Sequence, residues 1–151
     1  MTDPLVHKIT LNCSQAHAFA VFVQKVDLWW PPGHRKFAAS VLSFAAKPGG
    51  QLCEVSQGGE VFVLADVLEI DAPGSMTLAW HPGKISQPTE TTITFTAVAG
   101  KCTEVVVVHR EADAALGDAW PSRAAMFEKG WQAVLAGLMD WINQETDKGE
   151  G

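Results

Sequence analysis

Three titratable side chains on predicted strands are the residues best placed to do chemistry: His109, Glu54 and Glu69. His109 follows Val105 and Val107 at alternate positions, so a strand that turns these valines inward also turns the imidazole inward. Two carboxylates and a histidine at one pocket can perform general acid–base catalysis. The alternative for His109 is a structural histidine bonded to a neighbouring carboxylate, and for the glutamates it is a solvated position near a strand end.

The two glutamates are assigned to the inner face by the same alternation. Glu54 shares a predicted strand face with Leu52. The face predicted for Glu69 also carries Val63, Ala65 and Val67. A carboxylate that faces an apolar hollow needs a hydrogen-bonding or charged partner, or its pKa rises. The basic side chains that could act as that partner are His34, Arg35, His109 and Arg110.

Aromatic residues form a second candidate group, suited to binding a ligand. Trp29 and Trp30 precede two prolines, which fix φ and cannot continue a helix, so a turn is predicted there. Trp30, Trp80 and Trp131 could line a pocket for a flat apolar ligand, or they could pack in the core as buried tryptophans usually do. The residues predicted to contact a ligand are Trp30, His34, Phe37, Glu54, Trp80, His109, Phe127, Trp131 and Leu135.

Hydrophobic periodicity predicts the elements that position these residues, in the order strand, helix, six strands, helix. The first strand is predicted over 5–11, and Ser14 is a predicted N-cap for a helix over 16–26. The six later strands are predicted over 41–46, 51–55, 60–70, 76–80, 89–98 and 102–111. Short turns join them, so the sheet is predicted to be antiparallel. A final helix over about 121–143, laid across a curved sheet, leaves a hollow between the two.

Several short patterns in this order resemble a known superfamily. They are the Ser14, Ala18 and Phe19 helix start, the Trp29-Trp30-Pro31 corner, Pro48-Gly49-Gly50 with Glu54, residues 67–73 before Leu78-Ala79-Trp80, residues 103–109, and Gly130-Trp131 with Val134 and Leu135. The chain resembles the SRPBCC (START-like, helix-grip) superfamily, and within it the family homologous to the activator of heat-shock protein 90 ATPase. The resemblance implies an α+β helix-grip fold, with a curved antiparallel sheet around a long C-terminal helix and one or two short helices after the first strand.

Composition narrows the class of protein. The length of 151 residues, with 47% hydrophobic and 19% charged residues, predicts one domain over 1–151 with an ordered core at about 4–144. A net charge of −6 without a basic run argues against nucleic-acid or anionic-lipid partners. No apolar stretch of membrane-spanning length and no secretory signal is visible. The widely spaced Cys13, Cys53 and Cys102 predict reduced thiols in a cytoplasmic protein, and no motif predicts a metal or cofactor.

Three functions remain open at this point. The favoured one is binding of a small hydrophobic or aromatic molecule between sheet and helix, with a role in stress response. The resemblance also allows a cyclase-type or hydrolase-type enzyme that uses the same cavity, and a protein-interaction module of the chaperone-cofactor type. Val106 and Val108 occupy outward positions on the last strand, so an apolar strip is predicted on a face that should be wet. That strip predicts a partner surface and fits a homodimer.

Overall fold

One antiparallel sheet forms the body of the protein. The computed structural model describes residues 4–81 and 88–149. Within them, seven strands pair in the order β1-β7-β6-β5-β4-β3-β2. The strands are β1 (Leu5–Leu11), β2 (Ser40–Phe44), β3 (Gln51–Ser56), β4 (Val61–Asp71), β5 (Ser75–Trp80), β6 (Thr89–Val98) and β7 (Cys102–Arg110). The helices are α1 (Gln15–Gln24), α2 (Val26–Trp29) and α3 (Trp120–Gly149). The predicted α+β helix-grip fold is confirmed: the sheet curls into a half-barrel against the long C-terminal helix.

The core lies between the inner face of the sheet and the three helices. On β6 and β7 the alternate residues Ile93, Phe95, Val105 and Val107 are buried, as the predicted alternation requires. The apolar stripe of α3 is buried opposite them, and it includes Trp131, Val134, Leu135, Leu138 and Ile142. This helix continues to Gly149, six residues past the predicted end at Asn143.

The first helical region is divided in two. Ser14 caps α1, and its hydroxyl oxygen accepts a hydrogen bond from the His17 N–H at 3.2 Å. Lys25 leaves the helical conformation, and the single turn of α2 follows it. Trp30 then adopts an extended backbone ahead of the two prolines, so the predicted aromatic corner is present.

A glycine on α3 allows the corner to dock on that helix. A Cβ at Gly137 would lie 2.6 Å from the Trp29 carbonyl oxygen and 3.2 Å from Pro31 Cγ. The first distance is too short for any side chain, so the close approach of corner and helix depends on glycine. The Trp29 indole N–H meanwhile donates to the Val21 carbonyl oxygen at 3.0 Å, which ties the corner to α1.

Strand β4 contains two irregularities that change which of its residues face the core. At the first, Leu52 of β3 pairs with Ala65, whereas Cys53 pairs with Val63. Leu64 is therefore an extra residue, as in a β-bulge. Leu64 and Ala65 are both buried, although adjacent residues of a regular strand face opposite sides of the sheet.

The second irregularity moves Glu69 to the outer face. Val67 pairs with Leu78 and Glu69 pairs with Thr77, so Leu68 is the extra residue. The Glu69 side chain is exposed. The prediction that it shares an inward face with Val67 is wrong, because alternation holds only along an uninterrupted strand.

Candidate functional site

An apolar cleft opens between the inner face of the sheet and α3. Its volume is about 160 Å³. The ring of Trp80 is roughly parallel to that of Trp30, with centroids 6.3 Å apart, and is tilted against Trp131 at 5.1 Å. These rings form much of the wall, which is completed by His34, Leu64, Met126, Phe127, Gly130 and Val134.

Five of the residues predicted to contact a ligand line this cleft: Trp30, His34, Trp80, Phe127 and Trp131. The other predicted residues, Phe37, Glu54, His109 and Leu135, are not part of its lining. Leu135 is fully buried in the core beneath it.

Sequence reasoning missed three lining residues. Gly130 and Val134 lie four positions apart on α3, beside Phe127 and Trp131, so helical spacing could have found them. Leu64 carried no such signal, because the first bulge of β4 turns it inward.

Two of the three indoles direct their N–H groups to other parts of the protein. The Trp30 N–H donates to the His34 carbonyl oxygen at 3.1 Å, and the Trp131 N–H donates to His109 Nδ1 at 3.1 Å. These rings therefore present carbon rather than donors to a ligand. The imidazole of His34, an exposed residue, is the polar side chain at the mouth of the cleft.

His109 lies behind the wall and is fully buried. Its ring stacks on Phe127 with centroids 4.2 Å apart. Because the Trp131 indole can only donate, His109 Nδ1 must be the accepting nitrogen, and the proton of the neutral ring is on Nε2. Nε2 then donates to Thr89 Oγ1 at 2.6 Å, and that hydroxyl donates to the Trp80 carbonyl oxygen at 3.4 Å.

Burial keeps this imidazole neutral. Desolvation lowers the pKa of His109 from 6.5 to about 4, because the charged ring would lose its water. Both ring nitrogens already have partners within the protein. The structural interpretation of His109 is therefore favoured, although its partners are a threonine and a tryptophan rather than the expected carboxylate.

Glu54 is buried and accepts hydrogen bonds from the loop before β2 and from the first residue of β2. Its carboxylate receives the Lys36 N–H, the Phe37 N–H and the Ser40 hydroxyl, each at 2.8 Å. It is only 1% exposed, so it is not solvated at a strand end. The sequence predicted a basic side chain as its partner. The structure instead gives it two backbone N–H donors and a serine hydroxyl.

Arg35 joins the Trp30 corner to the same loop. One terminal nitrogen donates to Asp27 Oδ1 at 2.9 Å and to the Ser40 carbonyl oxygen at 3.2 Å. The other donates to the backbone oxygens of Asp27 and Trp30 at 2.6 and 3.0 Å. Asp27 Oδ1 also accepts the Leu42 N–H at 2.9 Å. Arg35 thus binds backbone and Asp27 rather than a ligand or Glu54.

The three candidate catalytic residues do not meet. His109 is sealed behind the cleft, Glu54 binds a loop, and Glu69 is exposed on the outer face. No shared proton-transfer site results from this arrangement. Within the described ranges, no group of three or more His, Cys, Asp or Glu side chains is placed to hold a metal ion.

Cys13 and Cys53 show no features of nucleophiles. Burial, with a contribution from Glu145, raises the pKa of Cys13 to about 11. Burial and Asp66 raise the pKa of Cys53. Both thiols are therefore protonated at neutral pH, whereas a reactive cysteine needs a stabilised thiolate.

The predicted apolar strip lies on the outer face of the sheet. Val106 and Val108 of β7 are half-buried there. Val6 of β1 pairs with Val108 and is 49% exposed, so the strip extends onto the edge strand.

Residues 12–142 match the family of Activator of Hsp90 ATPase homolog 1-like proteins. The chain belongs to this family. No curated protein matches the sequence of this chain significantly. Among its described helices, none is long and apolar enough to cross a membrane.

Solved structures with the same fold include proteins of several kinds. CalC from Micromonospora echinospora, a self-sacrificing resistance protein, is 25% identical, with 95% of this chain and 96% of that one covered and a TM-score of 0.66. The anthrahydroquino-γ-pyrone synthase Txn09, complexed with SUM, is 25% identical over 83% and 87% of the two chains, with a TM-score of 0.56. The Aha1 dimer from Colwellia psychrerythraea is 15% identical over 94% and 96%, with a TM-score of 0.66.

Proposed function

We propose that this protein binds a small, flat, apolar molecule in the cleft between the sheet and α3. The observation that carries this proposal is the aromatic wall formed by Trp30, Trp80 and Trp131, two of whose N–H groups are already bonded within the protein. An aromatic ligand can stack against such a wall without leaving a buried polar group unpaired. A charged ligand would find no compensating charge on these rings.

The volume of the cleft limits the size of the ligand. About 160 Å³ is similar to a cavity of roughly 150 Å³ that holds benzene, and smaller than the roughly 300–1,000 Å³ of drug-sized sites. One or two fused rings therefore fit, with a polar substituent reaching His34 at the mouth. Met126 is 63% exposed beside this opening, and its flexible thioether can adapt to a slightly larger ligand.

The structural relatives support ligand binding over an interaction module. The two at 25% identity are a synthase complexed with SUM and a resistance protein. Acid–base catalysis is less favoured, because His109, Glu54 and Glu69 lie apart.

Filling the cleft from α3 tests the proposal. Gly130 lines the cleft, and a Cβ placed there meets no atom within 4 Å. We expect Gly130→Leu to fill the space and weaken binding of 2-naphthol, measured by isothermal titration calorimetry, by about tenfold or more. Gly130→Ala is the matched control and should retain most of the affinity. Equal affinity of the wild type and Gly130→Leu would place binding elsewhere, and absence of binding would contradict this ligand class.

We also propose that two copies associate through the outer strip of Val6, Val106 and Val108. The exposed Val6 beside Val108 supports this, and an Aha1 protein of the same fold is a dimer. Sedimentation equilibrium should show a dimer that Val108→Lys dissociates, whereas Lys8→Ala on the same face should not. A wild-type protein that stays monomeric at high concentration would contradict this interface.

A further inference from the structure

The mouth of the cleft includes a segment without regular strand structure. Residues 30–40, here called the rim segment, contain one 3-10 turn at Pro32–His34 and otherwise irregular backbone up to Ser40, the first residue of β2. Trp30 and His34 of the cleft wall both belong to it. The position of two wall residues therefore depends on what holds this segment in place.

Glu54 holds the second half of the rim segment from beneath. Its two carboxylate oxygens accept the N–H groups of Lys36 and Phe37 and the hydroxyl of Ser40, each at 2.8 Å. Glu54 lies on β3, in the interior of the sheet, so the anchor point belongs to a regular element.

Two further hydrogen bonds carry this constraint to the wall. Arg35 donates to the carbonyl oxygens of Trp30 and Ser40, so it links the two ends of the rim segment. The Trp30 indole N–H donates to the His34 carbonyl oxygen, which fixes the ring relative to the turn. Arg35 lies between His34 and Lys36 in the chain. A displacement of the backbone at residues 36 and 37 would therefore also move His34.

We infer that Glu54 is a positioning residue for the cleft: it holds the rim segment so that Trp30 and His34 stand in place before a ligand arrives. This inference rests on the proposed function, since it assigns Glu54 a part in binding without contact to the ligand. A mouth that is already ordered loses less conformational entropy on binding than one that must close. Glu54 thus contributes to affinity from behind the wall.

The primary test is the indole N–H signal of Trp30 in ¹H–¹⁵N spectra of the unliganded protein, assigned with Trp30→Phe. We expect Glu54→Gln to shift and broaden this signal, because the amide would turn an N–H group toward backbone donors. The Trp29 indole signal should stay in place, since its acceptor is on α1. Glu69→Gln is the matched control, because it makes the same chemical change on the outer face of the sheet.

A milder variant keeps the test decisive if Glu54→Gln does not fold. Ser40→Ala removes one donor from Glu54 and leaves both backbone donors, so a smaller shift of the same Trp30 signal is expected. A Trp30 signal unchanged in every folded variant overturns the inference.

The second measurement is the affinity for 2-naphthol. We expect about a tenfold loss in Glu54→Gln and no change in Glu69→Gln. A shifted Trp30 signal with unchanged affinity overturns the role of Glu54 in binding. A wild-type protein that fails to bind 2-naphthol contradicts the proposed function, and the Trp30 signal then still decides whether Glu54 holds the rim.

Discussion

At the residue scale, His109 is a neutral imidazole with both nitrogens occupied. Trp131 donates to Nδ1, and Nε2 donates to Thr89, so each of the three side chains fixes the orientation of the next. The inward orientation of His109 was predictable from its alternation with Val105 and Val107. Its hydrogen-bond partners were not predictable, because they lie 20 and 22 positions away in the sequence and only the tertiary fold brings them close.

Removing the threonine hydroxyl should leave a buried donor without a partner. We expect Thr89→Val to lower the free energy of unfolding by about 1–3 kcal/mol, because the His109 N–H loses its acceptor in the core. Thr92→Val, on the outer face of the same strand, should change it by less than about 0.5 kcal/mol. Urea unfolding measures both, and similar values for the two variants would contradict this network.

His109 should also make stability depend on pH. The folded pKa is about 4 and the ordinary value is 6.5, so between these values the unfolded chain binds a proton that the folded chain excludes. The free energy of unfolding therefore falls as pH drops from 6.5 toward 4, by about 3 kcal/mol in total. Urea titrations from pH 7.5 to 4 measure this slope.

The control for this pH dependence is His109→Gln, which cannot titrate. Asp66 acts in the same direction, since hydrogen bonds from Gln51 and His81 lower its pKa, and its effect persists in the variant. The difference between the two proteins in the pH dependence of the free energy of unfolding therefore gives the contribution of His109 alone. Parallel pH profiles would mean that His109 titrates equally in both states.

At the element scale, the two glycines in the interior of α3 have opposite surroundings. A Cβ at Gly130 would enter the open cleft, whereas one at Gly137 would collide with the Trp29 carbonyl oxygen. The sequence predicts the helix and its apolar stripe but does not distinguish the two glycines. Their difference arises from the corner that packs against the helix at Gly137 and from the cleft that the helix lines at Gly130.

The same substitution at these two positions should act in opposite directions. Gly130→Ala should raise the free energy of unfolding by about 0.5–1 kcal/mol, because alanine is the better helix former. Gly137→Ala should lower it by about 1–3 kcal/mol, because the corner must move away from the helix. Chemical denaturation of both variants measures this, and two changes of equal sign would refute the docking described for the corner.

Strand β4 marks the limit of sequence reasoning for this fold. Its length and apolar character predicted a strand, and the structure confirms one over Val61–Asp71. The extra residues Leu64 and Leu68 have no distinguishing sequence, because a bulge depends on the pairing of neighbouring strands. Glu69 was therefore assigned to the wrong face, and Leu64 was missed as a wall residue.

At the scale of the whole molecule, side chains cover part of the open edge of the sheet at β2. The Leu42 N–H binds Asp27 Oδ1, and the Ser40 carbonyl oxygen binds Arg35, so these edge groups are not left to pair with another strand. Such edges otherwise offer a template for association between chains. The anchoring of Glu54 could not be predicted for a related reason: two of its three partners are backbone N–H groups, which every residue type except proline carries.

Uncovering this edge should cost stability and promote self-association. We expect Asp27→Ala to lower the free energy of unfolding by about 1–3 kcal/mol, because the Leu42 N–H and Arg35 each lose an acceptor. Light scattering should then show faster aggregation on heating. Asp140→Ala on the exposed side of α3 changes the net charge equally and should behave like the wild type. Equal aggregation of the two variants would contradict edge protection.

The indoles of Trp29, Trp30, Trp80 and Trp131 form an unbroken series, with successive centroids 5.6, 6.3 and 5.1 Å apart. Dipole coupling over such distances transfers excitation between rings faster than any ring emits. Excitation absorbed by one of the four indoles can therefore pass to the others, so a quencher that touches Trp30 draws energy from the whole series. If the cleft binds the ligand proposed for it, the wall would report that occupancy optically, with no label required.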